Sequence, residues 1–555
     1  MNDASKKESI WLALSTPAFR RYWLAALISG TCAAAHNTAV FSVLGESERS
    51  AFVISLMSTL SALPFALFTL PAGALADMVD RKKILYATNV WQAIVGIGLM
   101  SLGLANLLSP YFILVSAFLF SVGFAFGSPA AASVQIQMVP KQQLPSAFVL
   151  GGLQLNISGV FGPLIGGLLV PLIGSSLIFG ANGLGYLFLL LAVLWWKRAP
   201  TQPTGHAEDF FATIATTIRY VRYTPGIKVI LTRIALFSFF ISIIPALMPV
   251  VGLKELHLDP SQLGYLFTAM AVGSVAGAVF LVPLARARLS PNKLIICADL
   301  LLIIDLFLMA LVHRPHVFLL VAALGGAGWT LSASELWIAG QRAMPEWARG
   351  RMNAAIIMVS QAATALGGVV WGGAAAASGV IPTFLGAGVL AILMMLATQI
   401  FIGKRLSVDF TANLNLEPAA VTIFSTDWDP GRLSHARENP VSVVTEFLFD
   451  EADRDRCIDL FNQIRLIYLR NGARDWHLYA EYVRSNRYQM EVVAPSWTDY
   501  QRQQERLTND EKAILDDLYS LHKEGRPREF IRISVDRIII KKIKSQGVAR
   551  GNSDQ

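Results

Sequence analysis

The chain has 555 residues, 54% of them hydrophobic and 15% charged, against about 25% charged in an average soluble protein. Its net charge is +8, but the bases cluster beside apolar stretches, which argues against a nucleic-acid partner. Cys32, Cys297 and Cys457 suggest neither a disulfide framework nor a metal site.

Met1 to Arg21 is polar and the apolar run after it is too long for a signal peptide, so this first helix is expected to insert and stay. A hydrocarbon core about 30 Å thick takes roughly 20 apolar residues per helix. Such stretches predict twelve spans, at about 22–44, 52–76, 84–107, 111–138, 146–170, 176–196, 229–252, 262–285, 293–312, 316–341, 351–378 and 381–403. With this count Arg20, Arg21, Arg81, Lys82, Lys83, Lys141, Arg219, Arg222, Arg286, Arg288, Arg342, Arg349 and Arg351 fall on one side. The other side holds little beyond Arg49, Lys254 and Arg314, so both termini are expected in the cytoplasm.

The longest connection between spans joins six and seven. Phe210, Phe211, Ile214, Ile218 and Val221 recur there at helical spacing, which predicts an amphipathic helix on the cytoplasmic membrane face. The expected divisions are an N-terminal six-helix half (1–197), a central loop (198–228), a C-terminal six-helix half (229–407), a linker (408–439), a soluble domain (440–537) and a basic tail (538–555). "GALADMVDRKK" follows span two, and "GAVFLVPLARARLSPNK" follows span eight with Leu281 in place of Asp77. That reads as twofold duplication with one degenerate copy.

The first copy concentrates Gly73, Asp77, Asp80, Arg81, Lys82 and Lys83. A glycine there lets a neighbouring helix approach closely. Asp77, near a helix C-terminus, gains from a partner such as Arg81 or the N-terminus of another helix. In span five, Gly159, Gly162, Pro163, Gly166 and Gly167 favour close packing and a bend. These residues resemble the major facilitator superfamily: the first set its signature between helices two and three, the second its exporter Gly-Pro motif. The resemblance implies that Asp77 and Arg81 latch the cytoplasmic gate. Together with "TIRYVRYTPGIKVILTRIALF" and "MPEWARGRMNAA", the chain resembles the enterobactin-exporter-like branch, the transmembrane secretion effectors. The fold this implies is an all-α polytopic bundle of two six-helix halves.

Ionisable and amide groups inside a bilayer are functional candidates by default. His36, Asn37, Gln154, Asn156, Arg233, Asp305 and Glu335 are the cavity or proton-coupling candidates, with His36 the first choice as a titrating group. Asp299 is a further acid in span nine, and Glu335 is expected to pair with Arg342 or Arg351.

From Pro440 the pattern changes to short strands and amphipathic helices in the order βαββαβ, a ferredoxin-like α+β unit. Gly472 is placed as a helix stop, and Thr508 with Glu511 as a capping box. The unit resembles the antibiotic-biosynthesis monooxygenase modules, which implies pairing as a homodimer. Trp476, His477, Tyr479 and His522 are its candidate chemical groups, yet a regulatory or dimerisation role is expected over catalysis. The basic stretch "IIIKKIK" is expected to touch anionic lipid.

The expected function is secondary export of a small siderophore-like, drug-like or amphipathic molecule across the inner membrane by alternating access. No Walker motif is present, which points to proton antiport. No cofactor and no metal are expected. A lipid or lysophospholipid flippase on the same fold, and a membrane-anchored enzyme acting through its C-terminal domain, are the alternatives.

Overall fold

The computed structural model describes residues 10–47, 50–196, 210–342, 344–398, 440–481, 486–523 and 527–533. The side chains of Asp77, Arg342 and Arg351 lie outside this description, as do the linker 408–439 and the basic tail 538–555. The chain divides into two compact units.

The first unit is the helical bundle. Its opening half comprises α1 (Pro17–Ser47), α2 (Ala51–Met78), α3 (Arg81–Leu104), α4 (Pro110–Gln137), α5 (Leu144–Ile173) and α6 (Ser175–Trp195). After α7 (Phe210–Tyr223), span seven is built from α8 (Pro225–Ile241) and α9 (Ile243–Val250). Span eight joins α10 (Pro260–Ala276) to α11 (Val282–Arg288) through a π turn at Gly277–Leu281. Then come α12 (Pro291–Leu311), α13 (Pro315–Arg342), α14 (Glu346–Ser378) and α15 (Val380–Ala397). Among the described residues, 12 helices are long and apolar enough to cross a membrane.

Local sequence explains the helix ends. Pro110, Pro260 and Pro291 open their helices, where a missing N–H leaves nothing unbonded. Asp259 and Gln262 form a reciprocal capping box at the start of α10. Gly174 (φ 81°) turns α5 into α6, and Gly379 (φ 92°) turns α14 into α15. These are equivalent places in the two halves, and both need the left-handed backbone that glycine tolerates. Glycine also sets helix spacing. A Cβ on Gly96 of α3 would lie 2.8 Å from the Cα of Gly183 on α6.

The second unit gathers Phe211–Val229, Arg342–Met352 and Asp409–Gln555. Its strands are β1 (Val441–Leu448), β2 (Asp475–Ala480), β3 (Arg487–Ala494) and β4 (Arg528–Ile533). They form an antiparallel sheet in the order β2-β3-β1-β4, with Val443 opposite Val492 and Val444 opposite Phe530. Its helices are α16 (Arg454–Asn471), α17 (Trp497–Glu505) and α18 (Asn509–Ser520). Val441, Val443 and Phe447 of β1 alternate inward and join Cys457, Phe461 and Ile464 of α16 in one core. Gly472 (φ 122°) stops α16, and Thr508 and Glu511 cap α18 reciprocally. This is the ferredoxin-like arrangement.

The polar side of α7 meets protein, while Ile218 of its apolar stripe is exposed. Arg219 Nη1 lies 3.4 Å from the carbonyl oxygens of Gly472 and Ala473, which follow α16. Tyr220 is buried near the Arg470–Glu511 pair, and burial pushes its phenol well above the usual range. Periodicity identifies an amphipathic helix, but its apolar stripe does not specify lipid or protein as the surface it meets.

Candidate functional site

A cavity of about 720 Å³ lies at the centre of the first unit. Its wall comes from α1, α2, α5, α8, α9, α10, α13 and α14. Asn37, Thr38, Ser58, Ser61, Ser238, Ser274, Ser360, Gln361 and Thr364 supply neutral hydrogen-bonding groups. Phe41, Phe237, Phe267, Trp329 and Trp337 supply flat apolar surface. Phe41 stacks on Phe267 with ring centroids 5.5 Å apart, and Ser238 and Ser360 hydrogen-bond at 2.7 Å. Among the described residues no lining side chain is ionisable. Such a wall binds by stacking, dispersion and neutral hydrogen bonds.

The span-five motif divides its work three ways. Gly159 and Pro163 line the cavity. Gly162 and Gly166 pack on α1, where an added Cβ would run into Ala34 Cβ at the first and meet the Ala35 carbonyl oxygen at 2.7 Å at the second. Gly167 faces the other half of the bundle. A Cβ there would lie 2.9 Å from the Cα of Gly264 on α10, and Ser261 Oγ donates to the Gly167 carbonyl at 3.2 Å. Thr268 Oγ1 donates to Val160 O at 3.2 Å, and Thr59 Oγ1 to Ala365 O at 3.0 Å. A Cβ on Gly372 of α14 would also run into Ser55 of α2. These contacts join the two halves toward the end of the bundle away from the Arg81 loop.

Around that loop Asp80, Arg81 and Lys82 each serve a nearby helix end. Asp80 caps α3, accepting from the Lys82 N–H at 2.8 Å. Arg81 Nε lies 3.4 Å from the Ala76 carbonyl oxygen near the end of α2. Lys82 Nζ donates to Leu194 O at 3.0 Å and Trp196 O at 2.9 Å, closing the C-terminus of α6. These bonds lie within the first half of the bundle. Gly73 has nothing within 4 Å of an added Cβ, so the close helix approach expected there is not made. In the degenerate copy, Arg286 Nε bonds Glu335 Oε1 at 2.6 Å. Glu335 is buried and bonds Arg286, a partner 49 residues away set by tertiary packing, while the Arg342 and Arg351 side chains expected as its partners lie outside the described residues.

The remaining candidates separate. Asn37 lines the cavity. Asn156 is exposed, three residues before Gly159 on the same stripe of α5. His36, expected to be a cavity group, instead points into the first half. Its ring lies 4.9 Å from Phe120 and 4.8 Å from Phe179, and neither nitrogen has a partner among the described residues. Gln154 Nε2 donates to Ala26 O at 3.0 Å, tying α5 to α1. Arg233 lines a second, smaller pocket with Asp299. Asp305 is fully buried in α12, and neither carboxylate oxygen has a hydrogen-bond partner among the described residues. The aromatic wall was not anticipated from sequence. One available signal was small polar residues at helical spacing: Ser58 with Ser61, and Ser360 with Thr364.

The candidates in the second unit do not converge. Trp476 packs against the core beside Phe461, while His477 and Tyr479 share the other face of β2. His522 Nδ1 accepts the Leu448 N–H at 2.9 Å, a structural bond.

A duplicated bundle of twelve membrane helices around a central neutral cavity defines the major facilitator type of membrane transporter fold. The chain belongs to the transmembrane secretion effector family, whose sequence profile matches residues 8–538. It is 26% identical over 382 residues to the enterobactin exporter EntS of Shigella boydii serotype 4, covering 67% of this chain and 89% of that one. It is 24% identical to macrolide efflux protein A of Streptococcus pyogenes over 265 residues, 47% of this chain and 65% of that protein's length. The multidrug efflux pump Tap of Mycobacterium bovis is 24% identical over 61% of this chain and 83% of its own. Among solved structures, an inward-facing bacterial homologue of the human lysosomal transporter Spinster superposes with a TM-score of 0.56 at 16% identity, covering 73% of this chain and 99% of that one. The nucleoside transporter NupG gives 0.57 at 11% identity, covering 69% and 99%. At these identities the two structures speak for the fold.

Proposed function

We propose that the protein is a secondary active exporter of small amphipathic molecules, lying in the inner membrane with both termini and the ferredoxin-like unit in the cytoplasm. The observation that carries this reading is the central cavity, rich in aromatic and neutral polar groups and flanked by contacts between the halves away from the Arg81 loop. The excess of Lys and Arg puts that loop in the cytoplasm. The cavity then loads from the cytoplasm and unloads once the Gly167–Gly264 seal opens and the opposite end closes.

The neutral wall favours bulky substrates with little net charge, which fits the macrolide and enterobactin named for its relatives. It also removes direct competition between proton and substrate on one cavity group. Coupling to protons therefore falls on groups behind the wall. Asp305 is the leading one, because a buried ionisable side chain in a bilayer, here with no hydrogen-bond partner among the described residues, is costly and functional by default. The ferredoxin-like unit is a regulatory or dimerisation module, supported by the structural bond of His522 and the scatter of its other candidates.

Drug accumulation in bacteria stripped of their own efflux pumps tests the reading. Cells producing the protein should retain less macrolide or amphipathic dye than cells producing Trp337→Ala or Gln361→Leu. Equal retention in all three at equal expression would sink it.

A further inference from the structure

Beside the central cavity the bundle holds a second pocket, about 210 Å³, walled by α8, α12, α13 and α15. Phe237, Ile241 and Leu336 line both spaces and form the partition between them. The walls are mostly apolar, with Thr398 as a neutral polar group and two charged ones, Arg233 of α8 and Asp299 of α12, facing the same space. Each is eight residues beyond its helix start at the Arg81-loop end, so both lie about 12 Å inward, at matching depth. They are near enough to feel each other's charge. Yet no direct ion pair joins them among the described residues, and the polar partner Asp299 does have is Ser332, at 3.2 Å. Leu300, Ile304 and Leu393, beside pocket residues on α12 and α15, are exposed on the outer surface of the bundle, which the bilayer covers.

A positive and a negative group set apart at one depth, over an apolar slot bordering lipid, match a zwitterionic headgroup with a chain beneath it. We propose that this pocket holds one phospholipid with a primary-ammonium headgroup, its phosphate on Arg233, its ammonium on Asp299 and one acyl chain beside Leu302, Ile303 and Leu306. Arg233 alone would favour any phosphate. Asp299 adds the selection, repelling anionic headgroups and accepting from the ammonium. The chain packs against the partition, so the occupant buttresses Phe237 and Ile241 from behind.

Native mass spectrometry of the full chain tests this, after incubation with an equimolar mixture of phosphatidylethanolamine and phosphatidylglycerol. The wild type should retain a single phosphatidylethanolamine with at least tenfold preference. Asp299→Asn should reverse or abolish the preference. Arg233→Gln should lose retention, and Arg233→Lys should keep part of it. Leu306→Trp should block the chain while leaving both charges, and circular dichroism should show unchanged helix content in each variant scored. The proposal is overturned if the wild type retains phosphatidylglycerol equally well, or if folded Arg233→Gln and Leu306→Trp both retain lipid like the wild type. Displacement by chain-free glycerophosphoethanolamine at the same concentration would also overturn it, since the occupant would then be a soluble zwitterion. None of these readouts depends on transport.

Discussion

Gly167 of α5 and Gly264 of α10 meet backbone to backbone: a Cβ on either would stand 2.9 Å from the other's Cα. Pro163 O and Pro260 O close in from the two sides, at 2.6 Å from a Cβ on Gly264 and 2.9 Å from one on Gly167. A side chain cannot enter there without moving one half of the bundle off the other. Gly264→Leu should therefore disfavour the sealed state and bias the protein toward opening at that end. Thiol labelling of a cysteine placed at Ser261 should become at least tenfold faster in the variant. Unchanged labelling would mean that the glycine contact is not the seal.

Asp305 sits against Gly325 of α13, where an added Cβ would lie 2.5 Å from its Oδ2. If this carboxyl carries the coupled proton, Asp305→Asn should still exchange substrate down its own gradient. Its response to an imposed pH gradient should fall at least tenfold. Gly325→Ala, which displaces the carboxyl without removing it, should weaken coupling in the same direction. A normal gradient response in Asp305→Asn would assign Asp305 to structure alone.

Arg286 and Glu335 form the one charged contact described for the degenerate motif copy. Removing a partner from a buried pair costs about 3–5 kcal/mol. Arg286 is 42% exposed, so solvent discounts that toward roughly 1–2 kcal/mol. Glu335→Gln should lower the unfolding temperature by several degrees, and the exchange Arg286→Glu/Glu335→Arg should recover more than half. Failure of the exchange to recover any stability would argue that the two residues act independently.

Burial pushes the Cys457 thiol up to about 11, with Asp453 adding in the same direction. A raised value keeps the sulfur protonated at neutral pH, and the thiolate is the reactive form. Against an ordinary value of 9.0, the thiolate fraction falls about 100-fold. Iodoacetamide at pH 7.5 should leave Cys457 unmodified until the domain is unfolded, and modify it once it is. Rapid modification of Cys457 in the folded chain would contradict the packing of α16 against the sheet.

What the sequence revealed was local. Span lengths follow from apolar runs, the stop at Gly472 from glycine's left-handed backbone, and the Thr508–Glu511 cap from its spacing. What stayed hidden was which face of a helix meets which neighbour. A helix apolar on every side has no strong hydrophobic direction, so nothing in span one distinguishes His36, turned to Phe120 and Phe179, from Asn37, turned to the cavity. The same gap hid Arg286 as the partner of Glu335 and the use of Lys82 to close α6. Composition could announce charges around Asp77, but only packing assigns their partners.

Flux through the central cavity is the most direct test. In everted vesicles holding the full chain, with the interior acidified by about one pH unit, a macrolide or enterobactin should accumulate inside. A protonophore should collapse the gradient, and Trp337→Ala should slow uptake at least tenfold. No uptake of either compound or of an amphipathic dye, or uptake indifferent to the pH gradient, would contradict proton-coupled export through this cavity.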